Sequence, residues 1–136
     1  MLKGECNCGA VSYQAEGSVS DVFICHCSIC RRSTGSGGIA VSIVASEKFE
    51  WLAGQEQIRY WSKAGHDWHT YFCKVCGSTL PGANDERNVY IPVGTIVKGG
   101  ENLKVAHHLY VNSKASWEEI GDSGKQHPEG YGSQSA

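Results

Sequence analysis

Charge is scarce in this sequence. Asp, Glu, Lys and Arg together make up 19% of its 136 residues, and the net charge is −2. No basic run is longer than the pair Arg31-Arg32. Proteins that bind nucleic acid or membrane surfaces usually carry a basic patch, so neither partner is expected. No apolar run approaches the roughly 20 residues that a membrane-spanning helix needs. The opening residues, Met1-Leu2-Lys3-Gly4-Glu5-Cys6, lack the apolar segment that leads a secreted chain. A reducing, cytoplasmic setting is therefore expected, where cysteines bind metal or do chemistry more often than they form disulfides. No repeat or linker is visible. One domain is expected over residues 1–120, with a loosely held polar tail over 121–136.

Helical periodicity is also scarce. The 17 glycines and short β-rich runs point to a mainly β chain with little helix. Strands are predicted near 11–15, 22–27, 38–44, 48–52, 58–61, 68–72, 89–93 and 105–111. Two short helices are predicted, at 28–35 and 116–120.

The seven cysteines carry most of the information. They form three clusters: Cys6-Asn7-Cys8-Gly9, Cys25-His26-Cys27-Ser28-Ile29-Cys30, and Cys73-Lys74-Val75-Cys76-Gly77. Residues i and i+2 of an extended segment share a face, so a C-x-C pair offers two sulfurs to one ion. A C-x-x-C pair does the same by folding into a knuckle. A glycine after such a pair permits the positive φ that turns backbone N–H groups toward the sulfurs. Three readings compete. Disulfides leave one cysteine over and suit the wrong compartment. An iron–sulfur cluster fits the count, but not the common ferredoxin spacings. Zinc uses all seven as four plus three, because structural sites are closed by four ligands and catalytic sites keep a position open after three. Cys6, Cys8, Cys73 and Cys76 then make one site, and Cys25, Cys27 and Cys30 the other. A histidine or carboxylate completing the second site would make it structural as well.

These residues resemble the glutathione-dependent formaldehyde-activating enzyme (Gfa) family. The matching elements are Cys6-x-Cys8-Gly9, Cys25-His26-Cys27-x-x-Cys30-Arg31-Arg32-x-x-Gly35, and Phe72-Cys73-x-x-Cys76-Gly77. His108-Leu109-Tyr110-Val111 followed by Lys114-x-x-Trp117 is a fainter echo. The resemblance implies a β-tent-like fold of antiparallel sheets around two zinc ions. It assigns Cys6, Cys8, Cys73 and Cys76 to a structural ion and Cys25, Cys27 and Cys30 to a catalytic one. It also implies a carbon–sulfur lyase that makes or breaks an S-hydroxymethyl adduct of glutathione and formaldehyde. The alternative is a non-catalytic, zinc-stabilised module that binds a thiol or a protein partner.

Around the three-cysteine cluster, Arg31 is placed to attract an anionic thiol or to sit as a solvated charge, while Arg32 reads as surface. His26 lies between two ligands and is expected to point away from them, in a supporting or core role. His107 and His108 fall on opposite faces of a strand, so only one can face a pocket. His66 and His69 read as surface residues. Trp51, Trp61, Trp68 and Tyr71 read as core. Ser33, Thr34 and Ser36 read as turn and cap residues. The four-plus-three division predicts two zinc ions per chain. Elemental analysis of protein made with zinc present checks it, and one metal per chain, or iron with visible absorption, contradicts it.

Overall fold

The computed structural model describes residues 1–134, so the last two residues of the expected tail lie outside the described residues. It contains thirteen strands in chain order: β1 (Leu2–Glu5), β2 (Ser12–Ala15), β3 (Val22–Cys25), β4 (Ile39–Ala45), β5 (Phe49–Ala53), β6 (Ile58–Ser62), β7 (His69–Cys73), β8 (Thr79–Leu80), β9 (Gly82–Ala83), β10 (Asn88–Pro92), β11 (Ile96–Lys98), β12 (Val105–Leu109) and β13 (Lys125–Gln126). One α-helix, α1 (Ser28–Thr34), occurs among the described residues. No helix there is long and apolar enough to cross a membrane. The protein is mainly β, as expected.

The chain forms two compact units. The first comprises Met1–Ser20 and Ser42–Asn102, and the second comprises Asp21–Val41 and Leu103 onward. In the first unit, β11-β1-β2-β5 make an antiparallel sheet and β6-β7-β8 a smaller one. β1 alternates buried Leu2 and Gly4 with exposed Lys3 and Glu5. Gly4 is required there because a Cβ would fall 2.1 Å from the Tyr13 ring. Tyr13 is fully buried with Leu2, Ala15, Val44 and Ile91, and Phe49 and Trp51 pack against this core. A second cluster holds Cys6, Val11, Cys73 and Leu80, with Trp51 and Tyr71 against it. Trp61 departs from the expected core role. It is 52% exposed, because the apolar face of β6 is limited to its first residue, Ile58.

In the second unit the strand order is β13-β12-β3-β4. β12 runs parallel to both β3 and β13, a departure from purely antiparallel sheets. The β12–β13 crossover spans residues 110–124, long enough for a parallel return. Residues 121–134 are therefore not a loose tail. They supply β13, and His127 is buried with its backbone N–H on the His108 carbonyl at 2.8 Å. The helix predicted at 116–120 is a turn instead. There the Lys114 ammonium reaches the carbonyls of Ala115 and Glu118, and the Glu118 N–H bonds the Ala115 carbonyl at 3.1 Å.

Thr95 Oγ1 donates to the Pro92 carbonyl at 2.7 Å, so the Tyr13 hydroxyl, 2.7 Å away, donates to Thr95. Burial pushes the Tyr13 phenol up to about 12. An unfolded tyrosine ionises near pH 10. The folded protein thus holds this proton where the unfolded chain releases it, and stability falls as pH rises above about 10. Tyr13→Phe should cost about 0.5–1.5 kcal/mol at neutral pH, the worth of one hydrogen bond. It should also flatten the alkaline decline, incompletely, because burial and Tyr71 raise Tyr90 as well. Thermal melts of both proteins between pH 7 and 11 check this.

Candidate metal centres

Each cysteine group lies wholly within one unit. The first begins where β1 ends. The Cys6 N–H bonds the Val11 carbonyl at 3.0 Å, and Gly9 N–H bonds the Cys6 carbonyl at 3.0 Å with φ +79°. The second half follows β7 in the same way. Gly77, at φ +78°, donates to the Cys73 carbonyl at 2.7 Å. Both glycines adopt the positive φ predicted for them. These two knuckles bring the Cys6, Cys8, Cys73 and Cys76 sulfurs within 4.8 Å of one another. Val11 N–H points at Cys6 Sγ (3.3 Å). The Ser78 hydroxyl accepts Asn7 N–H at 2.9 Å, so its own hydrogen is left for Cys76 Sγ at 3.2 Å. That hydroxyl, with the Ser78 backbone, draws the Cys76 thiol down to about 5.

The second group stands where β3 runs into α1. Cys25 ends β3, Cys27 is the N-cap of α1, and Cys30 is the buried residue of that helix. Cys27 Sγ accepts Cys30 N–H at 3.4 Å. The three sulfurs lie within 4.8 Å of one another. Among the described residues no histidine, carboxylate or further cysteine joins them. Cys25 is drawn down to about 6, chiefly by its contact with Cys30, and the Cys30 thiol is pushed up by the same contact and by burial. Without a cation the sulfurs thus resist ionising together.

Both donor sets fit a metal ion. Sulfur separations of 3.6 Å (Cys6–Cys8) and 3.8 Å (Cys8–Cys73) match a tetrahedron. With metal–sulfur bonds of about 2.3 Å its edge is about 3.8 Å. The seven cysteines are unpaired, so no disulfide competes.

The neighbouring residues sort themselves clearly. Thr34 Oγ1 donates to the Cys30 carbonyl at 3.0 Å and meets Ser36 Oγ at 2.8 Å, and Ser36 donates to the Gly38 carbonyl at 2.9 Å. Thr34 thus closes the last turn of α1, and Ser36 lies in the bend that follows it. Arg31 is half-buried, and its Nε has no partner; Arg32 is exposed. His26 is buried, with Nε2 2.8 Å from His108 Nδ1. His108 Nε2 in turn meets Asp122 at 2.9 and 3.1 Å. His107 points elsewhere, its ring stacked on Phe23 and its Nδ1 3.0 Å from His127 Nε2. His66 is exposed, whereas His69 is half-buried with Nε2 3.0 Å from the Ala83 carbonyl. Asp122 and Glu118 were not singled out from sequence. Glu118 lies against Gly37, acts electrostatically on His26, and carries a buried, unpartnered Oε2. No local pattern marks either residue, because both act across turns.

Residues 1–113 match the family described as glutathione-dependent formaldehyde-activating enzyme. A Halomonas elongata protein named "Putative glutathione-dependent formaldehyde-activating enzyme" is 33% identical over 86 residues. That match covers 59% of this chain and 54% of the relative. A crystal structure of a Rhodobacter sphaeroides protein superposes with a TM-score of 0.59 at 21% identity, covering 73% of this chain and 91% of that one. This likeness concerns the fold alone.

The two groups should differ when broken. Binding of a structural metal is worth about 10–16 kcal/mol in small zinc peptides, and Cys73 is fully buried within the second core cluster of the first unit. Cys73→Ser should leave the protein insoluble or largely unfolded. Cys30→Ser should stay folded and bind one metal ion fewer. Circular dichroism with metal analysis checks both, and equal thermal destabilisation by the two substitutions contradicts the division.

Proposed function

The chain belongs to the glutathione-dependent formaldehyde-activating enzyme family, and from that premise we propose that it is a zinc-dependent carbon–sulfur lyase. It makes or breaks an S-hydroxymethyl adduct between a small thiol, such as glutathione, and an aldehyde, such as formaldehyde. One observation carries this reading: Cys25, Cys27 and Cys30 converge while no fourth protein donor joins them among the described residues. A scaffold needs closed sites. A site with three protein donors leaves a tetrahedral position for substrate.

In this reading Cys6, Cys8, Cys73 and Cys76 hold a structural zinc ion, and Cys25, Cys27 and Cys30 hold a catalytic one. A zinc ion there would supply Lewis acidity, either lowering the pKa of a substrate thiol or polarising a carbonyl oxygen. Adduct formation joins sulfur to the carbonyl carbon, moves the C=O π pair onto oxygen, and transfers the thiol proton to that oxygen. Cleavage reverses each step. Three thiolates around a dication leave a net charge of about −1, which disfavours an incoming anion. Arg31 follows Cys30 directly, and its guanidinium offsets that charge and attracts a carboxylate-bearing thiol. The reading also places the protein in a reducing, cytoplasmic compartment, where free thiols persist.

Cobalt in place of zinc makes the site visible. Glutathione should change the visible spectrum of the cobalt protein. NMR should then show faster exchange between formaldehyde and its glutathione adduct. Arg31→Ala should weaken glutathione roughly tenfold, on the order of one charge-assisted hydrogen bond, and a neutral thiol much less. Cys27→Ser should abolish binding and exchange. Binding without exchange identifies a non-catalytic module, and silence toward glutathione and a panel of small thiols overturns the thiol reading.

A further inference from the structure

The protein contains two C-x-C segments, and their middle residues are treated differently. In Cys6-Asn7-Cys8 the middle residue is exposed, and its backbone N–H rests on Ser78. In Cys25-His26-Cys27 the middle residue is 1% exposed and is gripped on both main chain and side chain. The His26 N–H donates to the Leu109 carbonyl at 2.9 Å, and the His26 ring meets His108 at 2.8 Å. The carbonyl side is crowded too, since a Cβ on Gly38 would fall 2.3 Å from the Cys25 carbonyl oxygen.

The hydrogens along this line can be placed from chemistry. A carboxylate only accepts, so His108 Nε2 carries the hydrogen given to Asp122. Neutral His108 then presents a lone pair at Nδ1, which accepts the hydrogen on His26 Nε2. Asp122 is itself fixed, because its Oδ1 also accepts Gly124 N–H at 2.8 Å. The line thus runs from a turn at 122–124 through two buried rings to the peptide between two sulfurs.

We propose that Asp122 and His108 are positioning residues that hold His26, and with it Cys25 and Cys27, in metal-binding geometry. The proposal rests on the reading that Cys25, Cys27 and Cys30 hold a metal. A four-cysteine site is braced by its own fourth ligand. A three-cysteine site lacks that brace, and the buried histidines supply one from outside. Partners that orient a metal site from behind its ligands typically change metal affinity by about 10–100-fold when removed.

The test compares wild type, Asp122→Ala and Asp122→Asn by cobalt titration. Asp122 is 41% exposed in its side chain, so its replacement should leave the fold intact. Wild type should bind two cobalt ions. Asp122→Ala should weaken one of them roughly tenfold and alter its visible d–d bands, leaving the other unchanged. Asp122→Asn keeps an oxygen that accepts from His108 and Gly124, and should restore both affinity and spectrum. Long-range proton–nitrogen NMR of zinc-loaded wild type should show hydrogen on Nε2 of both His26 and His108. If Asp122→Ala matches wild type, weakens both ions equally, or is not rescued by Asp122→Asn, the positioning role is wrong. If wild type binds only one ion, it is the metal reading of the three cysteines that fails.

Discussion

Like charges held close together are the constraint on which this protein turns. Two thiolates about 4 Å apart repel by roughly 4 kcal/mol at an effective dielectric of 20. The fold packs one group of four sulfurs and one of three into such spaces. It does so with positive-φ glycines, a helix N-cap and backbone N–H groups aimed at sulfur. These devices orient the sulfurs but do not neutralise them. The shared contact of Cys25 and Cys30, which draws one thiol down and pushes the other up, follows from that conflict. A dication bound at each group would resolve it, supplying a charge that the polypeptide does not itself provide.

The two groups answer the constraint differently. The four-cysteine group bridges two knuckles far apart in sequence, with Cys8 and Cys73 separated by 65 positions, and is set within a hydrophobic cluster. The three-cysteine group is local, drawn from the end of one strand and a helix of seven residues. A local group has little hold on the rest of its unit. The long-range links come instead from what lies behind it: β12 beside β3, and His108 on His26 across 82 positions.

The cysteine spacing was legible because ligand chemistry is written in residue type and short intervals. The glycine turns were legible for the same reason. Strands with several alternating apolar residues, such as β2, β6 and β12, were found near their true bounds. β1 was missed because Gly4 supplies its second inward position without a hydrophobic side chain. β8, β9 and β13 are two residues each, too short for any periodicity. Parallel pairing of β12 was not visible, since register between distant segments leaves no local mark. The expected loose tail failed for a related reason. Its composition is polar, but Asp122 bonds the buried His108 and the buried His127 bonds His107.

The interleaved path of the chain also sets an order of assembly during synthesis. The second unit begins at Asp21, yet its remaining half starts only at Leu103. While residues 42–102 are being made, Cys25, Cys27 and Cys30 wait without β12 or the His108 contact. The four-cysteine group has all its donors once Cys76 has emerged from the ribosome. The growing chain therefore acquires the means to capture one ion well before the support for the other exists. A nascent chain halted just past Asn102 would carry a complete first unit and an unbraced trio of thiols, exposed to oxidants and to competing soft metals.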